Sequence, residues 1–283
     1  MKKILLTGST GFIGSELLKN LSENNIIYVT IRTKNKKNKK NKNIREIFFQ
    51  SYSKLNDELK KIKVDTVIHC ATHYIKNHQI DDLKKLSDSN ILFGNIILEN
   101  LEVMNVKKFI NFSTVWENFN GEKDNFYNLY SVYKKCFGNL INFYKRRLKK
   151  LKFFNLIISD TFGKSDKRIK IINILRTNYK KNLYTNIVSK NLFINLLNVT
   201  DISNAIKLIL NNFSRPGTYL LKNKKDYLIS DLINKINNNS KKKIKIKWMS
   251  KKIMKDKIYR YKNLKNWKPL NSKIEHLVKV ITQ

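Results

Sequence analysis

Residues 3–21 read KILLTGSTGFIGSELLKNL, and the order of their parts decides the fold. KILLT at 3–7 is a short apolar run of the kind that forms a buried strand. GSTGFIG at 8–14 is a glycine-rich turn, and SELLKNLSEN at 15–24 has helical apolar spacing. Gly8, Gly11 and Gly14 thus form G-x-x-G-x-x-G between a strand and a helix. Glycine at such positions permits a tight turn and lets backbone N–H groups approach a pyrophosphate, which rests at the positive end of the helix. The chain has only eight glycines and three stand in this one turn, which argues against an unspecialised loop.

Outward from this unit, strand signals recur at IIYVTIR (26–32), IREIFF (44–49), VDTVIHCAT (64–72), KKFINFST (107–114) and FFNLIISD (153–160), with helical stretches between several of them. That alternation predicts an α/β fold, a doubly wound parallel sheet covered on both faces. TKNKKNKKNKN at 33–43 has nothing to bury and is expected to be a solvated loop. Beyond about residue 166 the pattern loosens, with helices expected near 168–179, 201–212, 228–237 and 272–282. The expected organisation is a dinucleotide-binding domain over 1–165 and a smaller, interleaved substrate-binding region over 166–283, with no clean linker.

A chain of 283 residues with 41% hydrophobic and 28% charged residues has ordinary globular composition, which excludes disorder throughout. The net charge of +37 raises the question of a nucleic-acid partner. Its lysines, however, are spread along the whole chain with equally heavy use of Asn and Ile, which reads as A+T-rich codon usage rather than a selected patch. No recognition module or base-stacking pattern accompanies them, so no specific nucleic-acid partner is expected. Cys70 and Cys136 lack metal-ligand spacing, and the four histidines do not assemble a ligand set, so no metal is expected. No apolar run reaches the roughly 18 residues of a membrane span. A cytoplasmic protein is the expectation.

Two further places carry chemistry. Tyr130 and Lys134 make Y-x-x-x-K in a helical stretch, NLYSVYKKCFGNLINFY. Four residues put both on one helix face, where an ammonium can lower the phenol's pKa and let it act as acid or base. Tyr261 and Lys265 match the same pattern, but only the first pair follows a strand ending in hydroxyls, Ser113 and Thr114. Thr114 is the candidate to hold a substrate oxygen; the plainer reading is a hydroxyl capping a turn. At the end of the second strand, where NAD enzymes carry an acidic residue, stands Arg32 followed by Thr33 and Lys34. A cation there suits a 2′-phosphate, so NADP(H) is expected in preference to NAD(H), with NAD(H) as the alternative.

These motifs together resemble the extended short-chain dehydrogenases, the NAD-dependent epimerase/dehydratase family, over nearly the whole chain. LLTGSTGFIGSELLKNL resembles the opening fingerprint, which implies a Rossmann-type fold with Gly8, Thr10, Gly11, Phe12, Ile13 and Gly14 at the cofactor. VDTVIHCAT resembles the D-x-V-I-H-x-A-A strand, which implies that Cys70, Ala71 and Thr72 line the cofactor and that His69 is structural. SNILFGN, with Asn90 and Asn95, LNVTDISNAI, with Asp201, and WKPL resemble later family segments. STVWENFNG followed by NLYSVYKKCF, and DTFGKSDKRIK, are similar to the CDP-abequose synthase group. That likeness implies reduction of a nucleotide-linked 4-keto-deoxysugar, with Thr114, Tyr130 and Lys134 catalytic and Ser113, Trp116, Arg168 and Lys170 on the substrate. Lys134 would also hold the nicotinamide ribose.

The chain departs from the family in two respects. Tyr133 precedes Lys134 where Ser or Ala is usual, and Thr114 is followed by Val115 and Trp116 where the dehydratases have Asp-Glu. Dehydration is therefore disfavoured; Glu117 would substitute only if the loop bends inward. A 4-epimerase with tightly bound NAD is the close alternative, and a non-catalytic dinucleotide sensor is a more distant one. The resemblance also implies a homodimer through the Tyr-Lys helix, although Lys135, Asn139 and Asn142 keep that helix polar and leave a monomer open.

Overall fold

A computed structural model describes residues 1–33, 41–240 and 242–283. Most of the low-complexity loop, residues 34–40, lies outside the described residues. The chain divides into two compact units. One takes in residues 1–157, 215–220 and 259–262, and the other takes in 158–214, 221–258 and 263–283.

The first unit is built on six strands: β1 (Lys2–Thr7), β2 (Asn25–Ile31), β3 (Ile44–Phe48), β4 (Thr66–His69), β5 (Lys108–Thr114) and β6 (Lys152–Ile158). They lie in the order β6-β5-β4-β1-β2-β3, and Gly217–Leu221 and Lys262–Asn263 extend the sheet beyond β6. Pairing is parallel from β3 through β2, β1 and β4 to β5. This bears out the expected doubly wound sheet, whose order reverses between β1 and β4 and so opens a crevice at their carboxyl ends. Ile4, Leu5 and Leu6 have no exposed surface, because a strand covered by helices on both faces has no solvent side.

Among the described residues, five helices belong to this unit: α1 (Phe12–Leu21), α2 (Tyr52–Lys60), α3 (Asp82–Ser87), α4 (Phe93–Glu99) and α5 (Leu129–Arg147). A π-helical turn, Asp88–Leu92, joins α3 to α4. Its Asn90 is buried and clamps the chain after β4: the Thr72 hydroxyl and His73 N–H donate to Asn90 Oδ1 at 2.6 and 2.9 Å, and Asn90 Nδ2 donates to His73 O at 3.0 Å. The strand expected over 64–72 is only Thr66–His69; Cys70 N and Ala71 N still donate to Thr7, and Thr72 and His73 turn to Asn90.

His69 shows how tightly the core is packed. Its ring stands 5.0 Å from Phe137, 6.0 Å from Phe93 and 6.1 Å from Phe109, and its Nδ1 shares a 3.0 Å hydrogen bond with Thr7 Oγ1. Burial, reinforced by the charge of Lys134, drives its pKa down to about 3, so the ring is neutral at physiological pH.

The second unit carries α6 (Ile171–Lys181), α7 (Val199–Leu210), α8 (Ile229–Asn239) and α9 (Ile274–Thr282) with short strands, around a core that includes Phe162, Leu175, Ile233 and Leu277. The strand expected over 153–160 stops at Ile158, and Asp160–Phe162 pairs instead with Leu196–Asn198. Asp201, fully buried in the first turn of α7, organises this unit. It accepts from Asn271 N at 3.0 Å and from the Ser272 hydroxyl at 2.6 Å, while its own carbonyl accepts from Trp267 Nε1 at 2.8 Å. The WKPL segment is thereby tied to the start of α7.

In α4, a Cβ built on Gly94 would lie 2.4 Å from the Phe137 ring and 3.1 Å from His69 Nε2. Gly94→Ala is expected to lower stability by about 1–3 kcal/mol through overpacking. Urea denaturation measures it, and unchanged stability would show that the Phe137–His69 stack yields freely.

Candidate active site

The glycine turn closes where β1 meets α1. Gly8 has φ +67°, and a Cβ there would lie 2.6 Å from Ala71 N on the strand end beside it. A Cβ on Gly14 would lie 2.1 Å from Gly8 O, and Gly11 N donates to that same carbonyl at 2.9 Å. Thr10 and Gly11 are exposed while Phe12 and Ile13 are partly so, and the first turn of α1 holds no acidic side chain. The result is a bare cradle of backbone at a helix N-terminus, which fits a dinucleotide's pyrophosphate. Ala71 N donates to Thr7 Oγ1 at 3.2 Å, locking the neighbouring strand end to β1. Burial pushes the Cys70 thiol up, so it stays protonated.

Arg32 stands just past the end of β2. Its guanidinium lies 5.8 Å from the Phe49 ring centroid, and it lowers the Tyr52 pKa by charge and hydrogen bond against the larger upward push of burial.

Thr114 is the last residue of β5. The turn that follows, Val115–Gly121, starts on it: Trp116 N donates to Thr114 Oγ1 at 3.3 Å, so the capping reading holds and the hydroxyl keeps its own proton to donate. Ser113 is 2% exposed, and its Oγ finds no partner among the described residues. Tyr130 and Lys134 lie on α5, whose start is set by a reciprocal cap: Ser131 N donates to Asn128 Oδ1 at 3.1 Å and Asn128 N to Ser131 Oγ at 3.2 Å. Lys134 Nζ lies 5.7 Å from the Tyr130 ring centroid and donates to Phe112 O, two residues before Thr114, at 2.9 Å. Burial lowers the Lys134 pKa to about 8, opposed by the charges of Glu117 and Cys70.

Sequence reasoning placed Trp116 at the substrate but missed the aromatic rings gathered around it. Tyr74 meets Tyr130 edge-on at 5.1 Å and Trp116 at 5.8 Å, and Tyr127 lies 5.0 Å from Trp116 and 4.9 Å from Phe119. The available signal was Tyr74 standing just after Cys70-Ala71-Thr72. Arg168 and Lys170, in the second unit, are held by carboxylates of that unit. Arg168 grips Asp166 at 2.7 and 2.8 Å and donates to Thr161 Oγ1 at 2.9 Å, and Lys170 pairs with Asp160. Among the described residues no group of three His, Cys, Asp or Glu gathers to hold a metal, and no helix is long and apolar enough to cross a membrane.

The turn after Thr114 is irregular and buries Glu117. Asn118 and Phe119 have non-helical backbone and Asn120 has φ 55°; Asn118 Oδ1 accepts from Asp124 N at 2.7 Å while its Nδ2 donates to the Tyr261 hydroxyl. Glu117 is consequently 5% exposed, and its Oε1 has no partner among the described residues. Burial raises its pKa to about 7 against the pull of Lys135 and Lys134.

A parallel sheet with a glycine cradle at its switch point and a hydroxyl–tyrosine–lysine set at the end of β5 defines the dinucleotide-dependent class of α/β enzymes. The NAD dependent epimerase/dehydratase family model matches residues 4–221, and the chain belongs to that family. It is 27% identical over 221 residues to the CDP-abequose synthase of Yersinia pseudotuberculosis, covering 74% of each chain. Among solved structures it is similar to the UDP-N-acetylglucosamine 4-epimerase of Methanobrevibacter ruminantium M1 in complex with UDP-N-acetylmuramic acid. The TM-score is 0.78 at 17% identity, over 99% of this chain and 97% of that one. It also resembles the UDP-glucose 4-epimerase of Thermotoga maritima with UDP-glucose: TM-score 0.77, 19% identity, over 99% and 97% of the two chains. At these identities the two structures speak for the fold.

A folded carboxyl with pKa about 7 keeps a proton that the unfolded chain, at 4.5, has released. Its contribution to stability is therefore full below pH 4.5 and is lost as the pH rises through about 7. Glu117→Gln is expected to flatten stability across that window and to be the more stable protein above it. Urea midpoints at a series of pH values test this, and an unchanged slope would contradict the burial of an ionisable group at this position.

Proposed function

We propose that the protein is an NAD(P)H-dependent reductase of a nucleotide-diphosphate 4-keto-deoxysugar. The observation that carries this reading is Lys134, buried and fixed to Phe112 O beside Tyr130, on the strand that ends in Thr114. The likeness to CDP-abequose synthase supports the substrate class. Bound dinucleotide supplies the hydride to the carbonyl carbon. Tyr130 donates its proton to the substrate oxygen, and Thr114, whose hydroxyl already accepts from Trp116 N, donates to the same oxygen and orients it. The charge of Lys134 stabilises the tyrosinate left behind, and its ammonium holds the nicotinamide ribose. Thr10 to Gly14 with Gly8 hold the pyrophosphate, and Cys70, Ala71 and Thr72 border the cofactor. Ser113 and Trp116 border the sugar.

Arg32 at the end of β2 is assigned to the 2′-phosphate and favours NADPH, for which it would trade the Phe49 face for an anion. Within the second unit, Arg168 and Lys170 are assigned to an anionic group of the substrate, exchanging Asp166 and Asp160 for it. Cytoplasmic residence and assembly as a homodimer through α5 belong to the same reading.

The test follows loss of NADPH absorbance with CDP- and dTDP-linked 4-keto-deoxyhexoses. Tyr130→Phe is expected to lower kcat by about 10²–10⁴-fold while NADPH affinity holds. A fully active variant would remove Tyr130 from the reaction. Purified protein that retains NAD through gel filtration and interconverts 4-epimers would replace the reductase with an epimerase.

A further inference from the structure

Alongside α5, the first unit holds a cavity of about 220 Å³ whose lining includes neither Thr114, Tyr130 nor Lys134 among the described residues. At that size, below the ~300–1,000 Å³ typical of drug-sized ligands, it suits a single ring rather than a dinucleotide. Glu117 lines it, with a carboxyl that is buried and has one oxygen unpartnered among the described residues.

The rest of the wall is mixed in its hydrogen bonding. Asn139 and Asn142 on α5 offer both donors and acceptors, and Tyr259 and Tyr261, whose rings meet edge-on at 5.1 Å, offer aromatic surface. Lys123 and Lys145 line it too, bringing positive charge. Gly138 borders the same space from mid-helix, where glycine costs roughly 1 kcal/mol relative to alanine. A Cβ there would meet nothing within 4 Å, so no packed neighbour demands the glycine. The open side of the helix at this point faces the cavity.

A hydroxyl-rich ring matches this wall, because each hydroxyl both donates and accepts. The lysines match an anionic substituent on that ring. We propose that this cavity binds a monosaccharide phosphate, with sugar hydroxyls against the wall that Glu117, Asn139 and Asn142 line and the phosphate on the lysines, at a second site distinct from the glycine cradle.

The experiment is calorimetric titration at about 0.15 M ionic strength, where a ~8 Å Debye length suppresses diffuse attraction of anions to this basic chain. Glucose 6-phosphate, glucose and inorganic phosphate are titrated separately into wild-type protein, Gly138→Leu and Glu117→Gln. Gly138→Leu places a side chain in the cavity and improves helix propensity, and an NADPH titration of the same preparations reports whether the fold is intact. The expected result is binding of glucose 6-phosphate that weakens at least tenfold in Gly138→Leu and measurably in Glu117→Gln, with NADPH affinity unchanged. Equal binding of glucose 6-phosphate by wild type and Gly138→Leu, equal affinity for inorganic phosphate alone, or no binding at millimolar sugar phosphate would each overturn the proposal. None of these outcomes bears on the reductase reading, which stands or falls on turnover.

Discussion

The constraint on which the first unit depends is the absence of side chains where β1, α1 and the end of β4 converge. A carbon at position 14 would sit 2.1 Å from Gly8 O, and one at position 8 would collide with Ala71 N at 2.6 Å. Both distances are far inside van der Waals contact, so any other residue would push α1 off the sheet. Thr7 completes the junction, since its hydroxyl bonds both His69 and Ala71 N. The same closeness that packs helix on strand keeps side chains away from the helix start, the kind of place that favours an anion.

A second organising theme is the handling of buried polar groups. His69 is kept neutral between three phenylalanines, Lys134 is buried with its ammonium on Phe112 O, and Glu117 is buried with one oxygen unpartnered. Desolvation disfavours charge on all three, while Glu117 and Lys134 each favour ionisation of the other. Ionisable groups with pKa values pushed toward neutrality concentrate where chemistry or recognition occurs.

Much of the fold was legible because its signals are local. Apolar runs such as KILLT, with helical spacing between them, specify strands and covering helices through burial alone, and the glycine turn follows from backbone sterics. The Y-x-x-x-K pair was legible as one helix face, with position along the chain selecting Tyr130 and Lys134 over Tyr261 and Lys265. Strand ends were less so: the strand stops at His69, and Thr72 and His73 bond instead to Asn90, 18 positions beyond Thr72. Arg168 and Lys170 read as open cations in sequence, yet Asp166 and Asp160 hold them.

From the amino-acid order alone come the class of fold, the glycine turn, the helix bearing Tyr130 and Lys134, and the membership of a family, since each rests on residues adjacent in sequence or spaced by one helical turn. Tertiary structure alone decided that Glu117 turns inward, that Tyr74 and Trp116 stand against one another beside Tyr130, and that a cavity opens next to Gly138. Those outcomes depend on contacts between distant segments, such as Asn118 with Tyr261, and on whether burial or hydration wins for one carboxyl. No local pattern encodes that balance, because desolvation is set by everything that surrounds a group in the folded chain.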